Sequence, residues 1–223
     1  MTDSADLKTA TSPSSSPLTP SAVWDLLRAG NGRFVMDASN HPNQDAARRA
    51  SLTQEQHPVA VIFGCSDSRL AAEIIFDVGL GDVFVVRTAG QVIDDAVLGS
   101  LEYSVDVLDI PLIVVLGHDS CGAVTAAVES YVSGEMPPGF IRSLVERIIP
   151  SVISARRAGV KDVNGTVAEN VRQISSRLME SSMSVAKAVN EGRTAIIGVT
   201  YSLDNGTANP VKIIGDLDPD EVG

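Results

Sequence analysis

Val59-Ala60-Val61-Ile62-Phe63 is a run of five apolar residues, β-branched or aromatic apart from Ala60, that breaks at Gly64 into Cys65-Ser66-Asp67-Ser68-Arg69. A run without alternation suits a strand covered on both faces, as in a parallel sheet between two layers of helices. A second run, Leu112-Ile113-Val114-Val115-Leu116, breaks at Gly117 into His118-Asp119-Ser120-Cys121-Gly122. Each strand therefore delivers reactive side chains to its carboxyl end: a thiol, a carboxylate and a guanidinium from the first, an imidazole and the only other thiol from the second. In open α/β sheets, ligands sit in the crevice beyond the carboxyl ends of the strands, where strand order reverses. Both loops end there if the two strands are neighbours.

The rest of the pattern supports such a sheet. Val83-Phe84-Val85-Val86 reads as a strand, and residues 94–108 as a helix with Val97, Leu98, Leu101, Val105 and Leu108 at helical spacing. Pro111 opens the third strand, helices are expected at about 122–131, up to 158 and 166–190, and Ala195 to Val199 forms a fourth strand. Asp204-Asn205-Gly206 is a strong hairpin signal, so a fifth strand, about Val211 to Ile214, should run antiparallel to the fourth. The expected class is α/β, with four parallel strands and one closing antiparallel strand flanked by helices.

Residues 1–20 form a Ser/Pro/Thr-rich tail, too poor in apolar residues to offset the entropy of ordering. Residues 21–223 then make one domain with an N-terminal helical arm. Ser21 can cap that helix, Val23, Trp24, Leu27 and Phe34 fall on its apolar side, and Gly30-Asn31-Gly32 should fray it. The arm packs either on its own core or on a partner subunit. A polar stretch holding His41 and His57 separates it from the first strand.

With 17 basic and 28 acidic residues the net charge is −11, which argues against nucleic acid or an anionic membrane as partner. No run approaches the roughly 18 apolar residues of a membrane span, and the N-terminus lacks a basic region followed by an apolar core. A cytoplasmic location is expected, and there two cysteines serve metal binding or catalysis more readily than a disulfide.

Two thiols and an imidazole in one crevice make three ligands of a tetrahedral zinc, and a catalytic zinc keeps its fourth position open for water. Cys65, His118 and Cys121 would then hold one Zn2+ per chain in a hydrolase or hydratase. Two other readings stand beside it: a Cys65 nucleophile activated by His118, and inert core thiols. Asp67 lies two residues from a ligand and can orient the attacking water, or, left free, take the fourth position and block catalysis. Arg69 is suited to hold it off the metal through a bidentate pair. The plainer alternative is a surface ion pair.

Cys65-Ser66-Asp67-Ser68-Arg69 followed by His118-Asp119-Ser120-Cys121-Gly122 resembles the β-class carbonic anhydrases, in their plant-like subtype. The likeness extends to Val83 through Gly90, to Leu101-Glu102-Tyr103, and to Gly198-Val199-Thr200-Tyr201. It implies zinc on Cys65, His118 and Cys121, an Asp67–Arg69 dyad, and reversible hydration of carbon dioxide to bicarbonate by attack of zinc-bound hydroxide. It also implies a homodimer or dimer of dimers with the active site at the subunit interface. Gln56 matches a glutamine that binds substrate, and Phe84 and Tyr103 match residues that a neighbouring subunit adds to the pocket wall. Hydrolysis of carbonyl sulfide or carbon disulfide on the same scaffold is the alternative.

Overall fold

The computed structural model describes residues 18–217, so the expected tail lies outside the described residues up to residue 17. The chain enters through α1 (Pro20–Val35). Its cap is Thr19, whose hydroxyl accepts from Ala22 N, with Pro20 in the first turn; the expected cap, Ser21, is already helical. Val23, Trp24 and Leu27 are buried in the core of their own chain.

The helix does not fray at Gly30-Asn31-Gly32. At Gly30 a Cβ would collide with the carbonyl oxygen of Phe76, so glycine is what allows the helix to approach. Asn31 is pinned in place: its Nδ2 donates to Ile75 O (3.1 Å) and Gly206 O (2.8 Å), and its Oδ1 accepts from Ala208 N (3.0 Å). Three long-range bonds outweigh the local helix penalty of the triplet.

The polar stretch that follows contains a short helix, α2 (Ala46–Ser51), which sequence pattern does not announce because it buries no residue. Polar contacts hold it: Asp45 caps it through Arg48 N, and Arg48 donates to Leu80 O and pairs with Asp82. Then come β1 (Ala60–Cys65), the single turn α3 (Ala72–Ile75), β2 (Val83–Thr88) and α4 (Asp95–Asp106), followed by β3 (Leu112–His118), α5 (Gly122–Ser133) and α6 (Ile141–Arg157). The single helix expected over 166–190 is two, α7 (Val163–Ser181) and α8 (Met183–Asn190). Ser182 divides them, accepting from Val185 N to cap α8 and donating to Glu102 Oε1 at 2.6 Å. Finally β4 (Ala195–Tyr201) and β5 (Ala208–Ile214) form the antiparallel pair.

The strand order is β2-β1-β3-β4-β5, with β1, β2, β3 and β4 parallel and β5 antiparallel to β4, the expected α/β architecture. The order reverses between β1 and β3. Both of these strands are buried at every position. Alternate residues feed two apolar clusters, one on each face: Ile62 and Val114 join Trp24, Phe76 and Ile148, while Val61, Phe63, Ile113 and Val115 join Leu101 and Leu178. No helix among the described residues is long and apolar enough to cross a membrane.

Candidate metal centre

β1 and β3 are hydrogen-bonded neighbours, and Gly64 lies opposite Leu116, so the Cys65 and His118 loops leave the sheet at the same end. Cys121 follows at once as the residue preceding α5. The ligating atoms of Cys65, His118 and Cys121 all lie within 4.8 Å of one another, and all three residues are buried. Among the described residues these are the three that can jointly hold a metal ion.

The imidazole is set for that role. His118 Nδ1 lies 2.8 Å from the carbonyl oxygen of Asp119, which only accepts, so Nδ1 carries the proton and Nε2 keeps its lone pair. Nε2 is buried and has no hydrogen-bond partner. An orphaned acceptor beside two thiols is costly without a cation and well satisfied with one. Two sulfurs and one nitrogen are the donor set of a tetrahedral zinc with one position left over, so the residues fit that ion.

Proximity also sets the protonation of the thiols. A hydrogen bond from the Cys121 thiol, helped by one from the Gly90 amide and by the nearby imidazole, pulls the Cys65 thiol well below its ordinary range despite burial. The same contact with Cys65, together with burial, pushes Cys121 up. At His118 burial favours the neutral ring, but the adjacent Cys65 sulfur and its charge outweigh it, and the net shift is upward. A divalent cation reverses the rise at Cys121, because it stabilises the second thiolate directly.

Asp67 and Arg69 form the closed pair. Arg69 Nε donates to Asp67 Oδ1 (2.9 Å), Nη2 to Oδ2 (2.7 Å), and the Arg69 backbone N–H to Oδ1 (2.9 Å). The guanidinium holds the Asp67 carboxyl far below the usual carboxylate range. Asp67 Oδ2 nevertheless lies 3.9 Å from His118 Nε2, at the margin of the ligand cluster.

The other three singled-out residues lie elsewhere in the chain. Gln56 sits in the exposed loop before β1, whereas Cys65 ends that strand, so about 17 Å of strand separates them. Phe84 on β2 pairs with Val61, about 13 Å along the strand from the Thr88 that pairs with Cys65. Tyr103 on α4 stands beside Phe84, with ring centroids 6.2 Å apart. None of the three reaches the ligand cluster of its own chain.

Several residues that shape the centre carry no obvious signal in sequence. Arg87 donates to Cys65 O (2.8 Å) and to Asp67 O, fixing the backbone of the ligand loop. Gly90, at φ 68°, donates its N–H to Cys65 Sγ (3.3 Å). Asp119 ties the His118 loop to the end of β4: its N–H donates to Tyr201 O, and its Oδ2 accepts from Leu203 N (3.1 Å) and Ser202 Oγ (3.3 Å). The available clue was the resemblance itself, which spans Arg87 and Gly90 within Val83 through Gly90 and Asp119 within His118 through Gly122.

A model of the carbonic anhydrase family matches residues 60–208. The chain is 54% identical over 198 residues to a protein of Mycobacterium tuberculosis named carbonic anhydrase 2, and 52% identical over 198 residues to a carbonic anhydrase of Mycolicibacterium smegmatis; each match covers 89% of this chain and 96% of the relative. Its fold is similar to the crystal structure of the β-carbonic anhydrase CafA of Aspergillus fumigatus, with a TM-score of 0.66, 25% identity, and coverage of 87% of this chain and 91% of that one.

Proposed function

The chain belongs to the β-class carbonic anhydrase family, and on that premise we propose that it catalyses the reversible hydration of carbon dioxide to bicarbonate and a proton, with one zinc ion held by Cys65, His118 and Cys121. The observation that carries the proposal is the buried cluster of two sulfurs and an unpartnered imidazole nitrogen, with an ionised carboxylate held at its margin. When bound, zinc would supply Lewis acidity, which acidifies water less strongly with two thiolate ligands than with three imidazoles, so mainly at alkaline pH, and stabilises negative charge developing on oxygen.

The protein's own groups do the rest. Asp67 is kept ionised by Arg69, so it accepts a hydrogen bond from the attacking water and orients it. So acidic a carboxyl is a poor base, and its role is orientation rather than proton removal. Arg69 also keeps the carboxylate from occupying the open ligand position, while Arg87 fixes the loop that carries both Cys65 and Asp67.

Gln56, Phe84 and Tyr103 act in the site of a neighbouring chain. Their distance from their own ligand cluster supports this reading, as does the half-exposed Tyr103 ring. The working unit is then a homodimer or a dimer of dimers, in which Gln56 holds substrate and the two rings wall the pocket. A cytoplasmic location suits ligands that must stay reduced, and both cysteines are free thiols.

Stopped-flow hydration of carbon dioxide, followed from neutral to alkaline pH on protein with its zinc quantified, tests the proposal. The expected result is a rate that rises with pH, disappears on metal removal and returns with zinc. One zinc per chain with no hydration at any pH would overturn it, and carbonyl sulfide would be the next substrate to test.

A further inference from the structure

The mechanism above leaves unused a buried polar residue on the inner face of α7. Asn170 is 2% exposed and sits among Val167, Val171 and Ile174, where an amide is unfavourable unless fully bonded. It is fully bonded. Asn170 Nδ2 donates to Gly90 O (3.2 Å), and Oδ1 accepts from Ser151 Oγ of α6 (2.9 Å). Gly90 in turn donates its N–H to Cys65 Sγ. A chain of hydrogen bonds thus runs from α6 through α7 to the sulfur of a metal ligand.

Gly90 is where such a brace matters. A Cβ there would sit 2.8 Å from Ile148 Cδ1 and 2.9 Å from Ala123 Cβ, so close packing of α5 and α6 demands glycine. Glycine is also the residue whose peptide planes turn most freely, and the fit that excludes a side chain removes the usual steric restraint on them. Flanking bonds from Thr88 Oγ1 to Val92 O (2.8 Å) and from Gln91 Nε2 to Leu116 O (2.6 Å) fix the segment on either side of Gly90. Gly90 itself is held by two bonds from other elements among the described residues, its N–H on Cys65 Sγ and its carbonyl under the Asn170 amide, and the second is the one that does not involve a ligand.

We propose that Asn170 is a positioning residue for the metal centre: by holding the Gly90 carbonyl it keeps the Gly90 N–H on Cys65 Sγ, and so sets how strongly that thiolate donates to the metal. The inference rests on the metal-centre reading. An N–H donor on a ligating sulfur draws electron density from it, and partners at this remove contribute to metal affinity as well as geometry.

The test uses the full-length protein with zinc and, separately, with cobalt(II). Asn170→Asp keeps the size of the side chain and the acceptor for Ser151 but removes the donor to Gly90. Asn170→Leu removes both polar contacts at similar volume. Leu178→Ala, a buried change further along α7, controls for general loosening. Both Asn170 variants should lose zinc about 10- to 100-fold more readily to a competing chelator. Their cobalt forms should show the sulfur-to-cobalt charge-transfer band moved to lower energy, whereas Leu178→Ala should lower the unfolding temperature and move neither quantity. Wild-type affinity and band in whichever Asn170 variant folds would overturn the inference, as would zinc loss in Leu178→Ala equal to theirs. Failure of the unmodified chain to take up either metal would instead refute the metal centre, and the inference with it.

Discussion

Replacing Arg69 with Ala separates what the Asp67–Arg69 pair does for catalysis from what it does for folding. The Arg69 side chain supplies two of the three hydrogen bonds onto the Asp67 carboxylate; the third comes from its backbone N–H, which alanine retains. The guanidinium is 52% exposed, so its removal should leave the midpoint of urea unfolding nearly unchanged. Catalysis should suffer far more. Without the guanidinium the Asp67 carboxyl returns toward its ordinary pKa of about 4, and its Oδ2, 3.9 Å from His118 Nε2, needs only a small swing to enter the ligand cluster. An orienting acceptor is lost and a competing ligand is gained, for which a fall in kcat of about 10²- to 10³-fold is expected. Arg69→Lys keeps the charge but not the fork, and should fall between the two. The assay is stopped-flow hydration on protein of known zinc content, paired with urea unfolding of the same samples. Wild-type turnover in Arg69→Ala, or a loss that only tracks the unfolded fraction, would refute the reasoning.

If Gln56 serves the neighbouring chain, His118→Ala and Gln56→Ala chains, each impaired alone, should regain activity when co-expressed and purified as mixed oligomers through separate tags; an inactive mixture would exclude the shared site. Asn31→Ala deletes three buried hydrogen bonds and should cost about 3 kcal/mol in urea unfolding, with kcat per folded molecule unchanged. A cost below about 1 kcal/mol would mean α1 is held by its apolar side alone. At Asp77 burial favours the neutral acid, but N–H donors from Asn40 and His41 and the Arg33 side chain outweigh it and hold the pKa below the ordinary value. The folded state therefore binds fewer protons than the unfolded one, and this contribution is complete above about pH 4 and fades as pH falls through the lower folded value. Asp77→Asn should flatten the acid limb of the stability curve, and an unchanged limb would show that other carboxylates govern it.

What could be read from sequence was whatever local pattern determines. The two unbroken apolar runs suit strands covered on both faces, which they are, and Asp204-Asn205-Gly206 falls in the connection of residues 202–207 that joins the antiparallel pair β4 and β5. The grouping of Cys65, His118 and Cys121 was legible because both cysteines and one of three histidines fall directly after those strands. Features fixed by contacts distant in sequence were not legible. Gly30-Asn31-Gly32 looks like a helix end until Phe76 and Gly206 are brought against it. Ser182 interrupts an otherwise continuous helical pattern because Glu102 lies within reach of its hydroxyl. Asn170 reads as one polar residue in an amphipathic helix, and only the fold shows that it faces Gly90, eighty residues earlier in the chain.

The two edges of the sheet bear on the proposed subunit interface. β5, at one edge, contains Pro210, which has no N–H to offer, and Lys212, and its pairing with β4 slips between Gly198 and Val199. Proline, lysine and a bulge are the devices by which natural sheets discourage further strands. β2, at the other edge, has none of them along Val83-Phe84-Val85-Val86, and those residues are only half-buried by their own chain. Around it lie Leu80, Tyr103 and Val107, each more than two-fifths exposed. Val59 N donates to Asp82 O, so the segment carrying Gln56 enters β1 beside the start of the same edge. An unguarded apolar edge is a liability in a monomer and an asset in an oligomer. In this fold it carries Phe84 and Tyr103 and has Gln56 close by, three groups held away from the candidate metal centre of their own chain. The partner chain is therefore expected at β2 and not at β5, because only at β2 does covering the edge also bring those groups to a second chain.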